Sequence, residues 1–477
     1  MARESVIAPL EPSAGESEII AGLLMRARAA MAAFADADQA RVDDAVTAIA
    51  WAIYQPEHAR ALAEIAVGAT GLGNVKDKFT KNQRKTFGAL RDLLRARTVG
   101  IIEEDPAKGI VKYAKPVGVV AAICPSTNPA ATPTNKAMMA IKGRNAVIIA
   151  PSPAGGPATA MTVEMIRAEL ERAGHPADLV QILPAPASKD LTQALMEAAD
   201  LVVATGSADN VRRSYQSGTP AIGVGAGNVP SIIDASADLA DAAGKIRISK
   251  TFDNATSCSS ENSVIVLDGV YDDAIAELVK AGGYMATKAE KQLIADNLWL
   301  NGRLNRQLIA KDAKLFAETV GLSDAARGAA FFMVEETGTG ADYPFSGEKL
   351  CLVLTVYRAP DFDGAVALAK DILAYQGRGH SCSIHTRDMD HGRRLAEELD
   401  VVRVLVNQIH AFGNGGGFDN GLNFTLSMGC GTWAGNSISE NLNYRHFINV
   451  THLSTVIPED RPDEDELFGP YISRHGA

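Results

Sequence analysis

Cysteine is scarce in this chain and unpaired. Five residues, at 124, 258, 351, 382 and 430, are odd in number and include no Cys-x-x-Cys spacing. That excludes a disulfide framework and points to reduced thiols in a cytoplasmic protein. No apolar run is long enough to span a bilayer, so no membrane partner is expected. The N-terminus, Met1 to Glu4 followed by Pro9 and Pro12, lacks the basic-then-apolar profile of a secretory signal. Its prolines also oppose a short amphipathic targeting helix. Basic charge is not in excess either. A net charge of −11 excludes a general nucleic-acid surface and leaves room only for a local basic pocket. The nine histidines form no ligand-spaced cluster with acids or cysteines, so no metal is expected.

What is present is a long run of alternating patterns. With 477 residues the chain exceeds one simple core and implies two or three domains. Ser17 is placed to cap a helix whose apolar face is Ile20, Leu24, Ala27, Met31 and Phe34, and helical spacing continues to about residue 97. Val99 to Tyr113 reads as an extended, protruding hairpin. The segments at 116–124, 145–150, 178–183 and 200–205 are short, two-sided apolar runs. They are separated by helical stretches at 158–173 and 191–198. Such alternation implies right-handed crossovers and a parallel sheet. A second block opens near Pro230 with SIID. It continues with a helix to about Lys250, SVIVLD (263–268), a helix from Asp272, LCLVLTVY (350–357), a helix at 365–374 and CSIHT (382–386). Two α/β sheet domains are the simplest account.

Cys258 lies in a small polar loop, TFDNATSCSSENS, just before a strong strand. Its serine neighbours leave room for a substrate, and a thiolate there is suited to attack a carbonyl carbon. Cys124, Cys351 and Cys382 sit in apolar patterns, where cysteine behaves as a small hydrophobe. Cys430, in Met-Gly-Cys-Gly, is the rival. Local sequence alone leaves Cys258 between a catalytic and a structural role.

Six segments occur in order: PSTNP (125–129), ATGS (204–207), AIGVGAGNVP (221–230, opening the second block), KTFDNATSC (250–258), FSGEKLCLVL (345–354) and TLSMGCGTWAGNSISEN (425–441). Together they resemble the aldehyde dehydrogenase superfamily, and within it the coenzyme-A-acylating branch, over residues 17–455. The resemblance implies an aldehyde dehydrogenase-like α/β fold. Residues 1–98 and 114–229 would form a Rossmann-type nicotinamide domain, and residues 230–441 a catalytic α/β domain. Residues 99–113 and 442–477 would form an oligomerisation arm and tail, pairing subunits into a homodimer or homotetramer.

The roles the resemblance implies are specific. Cys258 matches the nucleophile, and Asn128 matches the oxyanion amide acting with the Cys258 N–H. Thr205, Gly206 and Ser207 match the pyrophosphate turn, with Gly225 nearby. Glu348 matches the holder of the nicotinamide ribose. Ala150, Pro151 and Ser152 match the strand end beside the adenosine of NAD or NADP. Blander readings remain beside these. Asn128 precedes a proline and also suits a turn. Glu348 beside Lys349 also suits a surface ion pair, and Gly223–Gly225–Gly227 is not the dinucleotide fingerprint. Two departures matter. Hydrolytic members carry a glutamate base where residues 223–228 read Gly-Val-Gly-Ala-Gly-Asn, and a lysine where Ala150 stands. Without that base, water is poorly activated and coenzyme A replaces it as acyl acceptor. The glycine-rich segment 407–424 suits an anion nest, with His410, Arg445 and His446 as further cations. Together with NATSCSSENS this end is most similar to sulfoacetaldehyde dehydrogenases that make sulfoacetyl-CoA. Plain acetaldehyde, or a hydrolytic enzyme releasing free acid, is the alternative.

Overall fold

The computed structural model describes residues 14–476; the reading of Met1 to Pro12 lies outside them. Four helices come first, Ala14–Ala33, Gln39–Tyr54, Pro56–Thr70 and Val75–Leu94. Local chemistry sets their ends. Asp38 and Asn74 accept from the N–H groups of Arg41 and Asp77, Pro56 opens the third helix, and Gly71 ends it at φ 64°. Ile20, Ala27 and Phe34 are buried, with Leu24 and Met31 packed at the edge of the same core. Ser17 caps nothing: the helix already begins at Ala14, and Ser17 is exposed within it.

The first sheet has five parallel strands in the spatial order Val180–Ile182, Ala146–Ala150, Val119–Ile123, Leu201–Thr205, Ala221–Val224. Its central strands are buried on both faces, which is why their sequences are continuously apolar. The chain winds one way from Val119–Ile123 and then the other. The switch point, where such sheets bind ligands, is therefore the crevice beyond the carboxyl ends of Val119–Ile123 and Leu201–Thr205. Ala221–Val224 closes this sheet by pairing with Leu201–Thr205, so the segment 221–230 does not simply open the second block.

Four residues, 225–228, lead into a seven-stranded parallel sheet. Its order is Gly283–Met285, Phe331–Glu335, Val353–Ala359, Glu261–Leu267, Val229–Ile233, Gly379–His385, Val401–Val406. The strand expected from Leu350 starts at Val353, because Leu350 takes a left-handed φ of 48°. Phe331–Glu335 and Val401–Val406 are additions to the expected set. Separate apolar clusters cover the two faces of this sheet.

Gly100–Asp105 and Ile110–Pro116 form an antiparallel hairpin over the stretch expected at 99–113, running on to residue 116. Ile448–Ser454 adds a third, mostly exposed strand beside it. Among the described residues no helix is long and apolar enough to cross a membrane.

Candidate active site

The site lies where the carboxyl ends of the first sheet meet the amino ends of the second. After the helix Leu239–Thr251 the chain makes a tight loop before Glu261–Leu267. Asp253, Asn254 and Ala255 all take left-handed φ values, 51°, 53° and 59°. Each costs on the order of 1 kcal/mol, so something must hold them. The Asp253 carboxylate does. It accepts from Lys78 Nζ (3.0 Å), Lys81 Nζ (2.6 Å), Thr256 Oγ1 (2.6 Å) and the Asn74 N–H (3.0 Å). Burial opposes its ionisation, but the two ammonium groups outweigh burial and lower its pKa. The loop is thereby tied to the helix Val75–Leu94. From the other side, Gly227 presses on Cys258: a Cβ at 227 would lie 2.1 Å from the Cys258 carbonyl oxygen.

Cys258 is the one cysteine of the five that is not buried. Its Sγ lies 3.3 Å from His380 Nε2. The other ring nitrogen, Nδ1, is 2.7 Å from Ser381 Oγ. Burial pushes the thiol up to about 12, helped by Glu348 and Cys430, while Arg403 pulls it down. Burial, then Arg403 and His410, drives the His380 imidazole well below its usual range. The resting pair is therefore a neutral thiol beside a neutral imidazole. Arg403 steadies it by donating to the carbonyls of His380 (3.0 Å) and Gly429 (2.9 Å). The rival Cys430 is buried and donates to the Met428 carbonyl at 3.4 Å.

A cleft opens beside this loop. It is lined by Ser257 and Ser259, which flank Cys258, and by Asn128, Lys81, Arg84, Lys85, Phe252, Phe412, Thr425 and Met428. Asn128 follows the strand Val119–Ile123. Its Oδ1 accepts from Lys81 Nζ at 2.8 Å, while its NH2 makes only a 3.4 Å contact with Thr127 Oγ1. The donor end of the amide is thus left for a ligand. A half-buried thiol, a proton acceptor and a free amide donor beside one cleft are what addition to a carbonyl requires.

The aldehyde dehydrogenase family model matches residues 4–292. This chain belongs to the aldehyde dehydrogenase family. It is 55% identical to sulfoacetaldehyde dehydrogenase (acylating) of Cupriavidus necator, over 98% of this chain and 95% of that protein. It is 43% identical to the Bilophila wadsworthia protein of the same name, over 94% of this chain and 98% of that one. The crystal structure of an acetylating aldehyde dehydrogenase from Geobacillus thermoglucosidasius superposes with a TM-score of 0.90 at 34% identity. The match covers 94% of this chain and 99% of that one.

In this aldehyde dehydrogenase most of the expected cofactor residues follow the carboxyl ends of strands in the first sheet. Ala150 ends its strand, and Ser152 Oγ accepts from the Gly155 N–H. Pro151 is half-buried between them. Thr205 Oγ1 is 2.7 Å from Ser427 Oγ, Gly206 has φ 157°, and Ser207 caps the helix Ala208–Gln216. The Gly225 N–H donates to Asn436 Oδ1. Glu348 is half-buried rather than a surface partner of Lys349. Burial pushes its carboxyl up to about 8 against a hydrogen bond from the Gly227 backbone. Lys349 is itself buried and donates to the carbonyls of Phe345 and Gly347.

The expected substrate cations need correction. His410 is buried, with Nδ1 2.8 Å from the Ser259 carbonyl oxygen, and burial lowers it to about 4, so it is neutral. Arg445 is exposed in a short turn over the Tyr444 ring, and His446 pairs with Asn443 and Glu440. Neither lines the cleft. The cleft's cations instead come from the helix Val75–Leu94. Lysines there at 78, 81 and 85 all face inward, a spacing visible in the sequence as one helical face. His380 carried no such signal.

Proposed function

We propose that this chain oxidises sulfoacetaldehyde and transfers the acyl group to coenzyme A, giving sulfoacetyl-CoA with reduction of NAD or NADP. The observation that carries this is a cleft walled by Lys81, Arg84 and Lys85 beside the Cys258 loop, with His380 Nε2 3.3 Å from the Cys258 sulfur. A neutral short-chain aldehyde needs no such wall. The acyl transfer itself is supported by the identity to the two acylating relatives over nearly the whole chain.

The chemistry follows from the residues. His380 Nε2 takes the thiol proton, which requires Nδ1 to carry the other hydrogen and donate it to Ser381 Oγ. Cys258 Sγ bonds to the carbonyl carbon, and the Asn128 NH2 and the Cys258 N–H hold the oxyanion. One such donor is worth about 3 kcal/mol of barrier. When bound, the nicotinamide supplies the hydride acceptor. The first sheet, within residues 1–98 and 114–229, fits it: the crevice sits at a topological switch point, with a helix N-terminus at Ala208 and an open backbone at Gly206. Thr205, Gly206, Ser207 and Gly225 would hold the phosphates. Ala150, Pro151 and Ser152 would hold the adenosine, and Glu348 the nicotinamide ribose. Residues 230–441 supply the nucleophile. Loss of hydride leaves a thioester on Cys258. The thiolate of coenzyme A then attacks its carbonyl carbon, and the Cys258 thiolate leaves. No carboxylate occurs in residues 223–228 to activate water instead. The exposed outer strand Ile448–Ser454, bearing Val450 and Leu453, suits pairing of subunits into a homodimer or homotetramer.

Product analysis tests the reading. With sulfoacetaldehyde and oxidised cofactor, the wild type should form acyl-CoA only when coenzyme A is present, and Cys258→Ala should form none. Free acid as the main product, or a higher kcat/KM for acetaldehyde, would overturn it.

A further inference from the structure

The three cations of the cleft, Lys81, Arg84 and Lys85, come from one helix, yet their surroundings differ. Lys81 is committed: its Nζ donates to Asp253, Asn128 and Thr256. Lys85 donates to the Gly415 carbonyl at 2.7 Å, and burial brings its ammonium down to about 7, so much of its charge is lost near neutral pH. Arg84 is different. Its buried Nε has no hydrogen-bond partner among the described residues. The acid acting on it, Asp419, does so only at a distance. Its guanidinium lies against three aromatic rings, 5.2 Å from Phe412, 4.9 Å from Phe418 and 5.7 Å from Phe424. Ring faces hold the flat cation in place without consuming its N–H donors. All three rings belong to the glycine-rich segment 407–424, whose function was otherwise unassigned.

We propose that Arg84 is the specificity-determining residue, accepting the sulfonate of the substrate on its unpaired N–H edge. Phe412, Phe418 and Phe424 form the platform that aims it. A fork of donors suits a tetrahedral oxyanion group, and a poorly hydrated guanidinium suits a weakly hydrated one. This rests on the substrate reading above, and it assigns the tail's recognition to one side chain.

The test uses the full-length enzyme, Arg84→Gln and Arg84→Lys, with sulfoacetaldehyde and acetaldehyde as substrates. Isethionate (2-hydroxyethanesulfonate) serves as an unreactive anionic probe. Arg84→Gln should lower the ratio of kcat/KM for sulfoacetaldehyde over acetaldehyde on the order of 10- to 100-fold, the scale of a lost charged hydrogen bond, and chiefly through KM. Arg84→Lys should fall between, keeping the charge but losing the fork. Isethionate should compete with acetaldehyde in the wild type and lose that competition in Arg84→Gln. Equal losses on both aldehydes, or undiminished inhibition by isethionate in Arg84→Gln, would overturn the assignment. A wild type that prefers acetaldehyde would sink the substrate reading alone, and the isethionate arm would still decide whether Arg84 binds a sulfonate. Arg84→Lys keeps the test open should the glutamine variant fail to fold.

Discussion

Lys81→Met should damage catalysis without touching the nucleophile. Lys81 Nζ contacts Asn128 Oδ1 at 2.8 Å and so fixes which end of that amide faces the substrate. Without it the amide can turn by half a rotation and present its oxygen to the developing oxyanion. The loss should approach that of deleting the donor, about 3 kcal/mol, or roughly 100-fold in rate. Stability should fall less than for an ordinary broken buried ion pair, which costs about 3–5 kcal/mol. The reason is that Asp253 keeps Lys78 at 3.0 Å, Thr256 at 2.6 Å and the Asn74 N–H at 3.0 Å. The assay is the pre-steady-state burst of reduced cofactor with acetaldehyde, which has no charged tail to lose. It is run on the wild type, Lys81→Met, Asn128→Ala and the double variant, with thermal melts alongside. If Lys81 acts through Asn128, the double variant should be no slower than Asn128→Ala. Losses that multiply, to about 10⁴-fold together, would show that Lys81 works by another route and refute the argument.

His380→Gln should slow the same burst by about 10²- to 10⁴-fold, the usual scale of a lost general base, while leaving cofactor affinity intact; an unchanged burst would remove His380 from the mechanism. The raised thiol of Cys258 gives a pH test. A thiol held above its ordinary range has less thiolate at any given pH, so alkylation by iodoacetamide should rise through pH 7–10. A plateau near pH 7 would contradict the neutral resting pair. Because Glu348 ionises only near 8 and its charge raises the thiol further, Glu348→Gln should speed alkylation above pH 8 and leave it unchanged at pH 6. Gly227→Ala should cost about 1–3 kcal/mol of stability and displace the nucleophile, since its Cβ would sit 2.1 Å from the Cys258 carbonyl oxygen. Wild-type activity and melting in that variant would refute the close approach.

The strands legible in the sequence were those whose burial is two-sided. Val119–Ile123, Ala146–Ala150 and Leu201–Thr205 have no polar face to disguise them. Val401–Val406 escaped because it is an edge strand, buried at alternate positions only. Leu350 to Leu352 misled for the opposite reason: the residues are apolar, but a left-handed turn at Leu350 delays the strand to Val353. Cys258 and Asn128 could be named because the motifs around them resemble a family. His380 could not, since a histidine inside an apolar strand reads as packing, and its meaning comes from a sulfur 122 residues away. Arg445 and His446 read as substrate cations because they follow the glycine-rich segment in sequence. The fold supplies them instead from a helix near residue 81, brought in by Asp253.

That arrangement gives the cleft a charge balance that bears on the order of events. Lys78 and Lys81 share Asp253, so this trio carries about one positive charge in excess, while Arg84 and Lys85 form no ion pair with a carboxylate among the described residues. A neutral aldehyde would leave the surplus uncompensated in a partly desolvated cleft, where unpaired charge is costly. In the proposed reaction a sulfonate would remove one unit on binding, and an oxyanion held at Asn128 would remove a second as the carbon is attacked. The remaining field is then close to balanced at the moment the thiol, itself held neutral by burial, must give up its proton. Under that proposal the same positive wall would act twice, first on the tail of the substrate and then on the charge that attack by Cys258 creates.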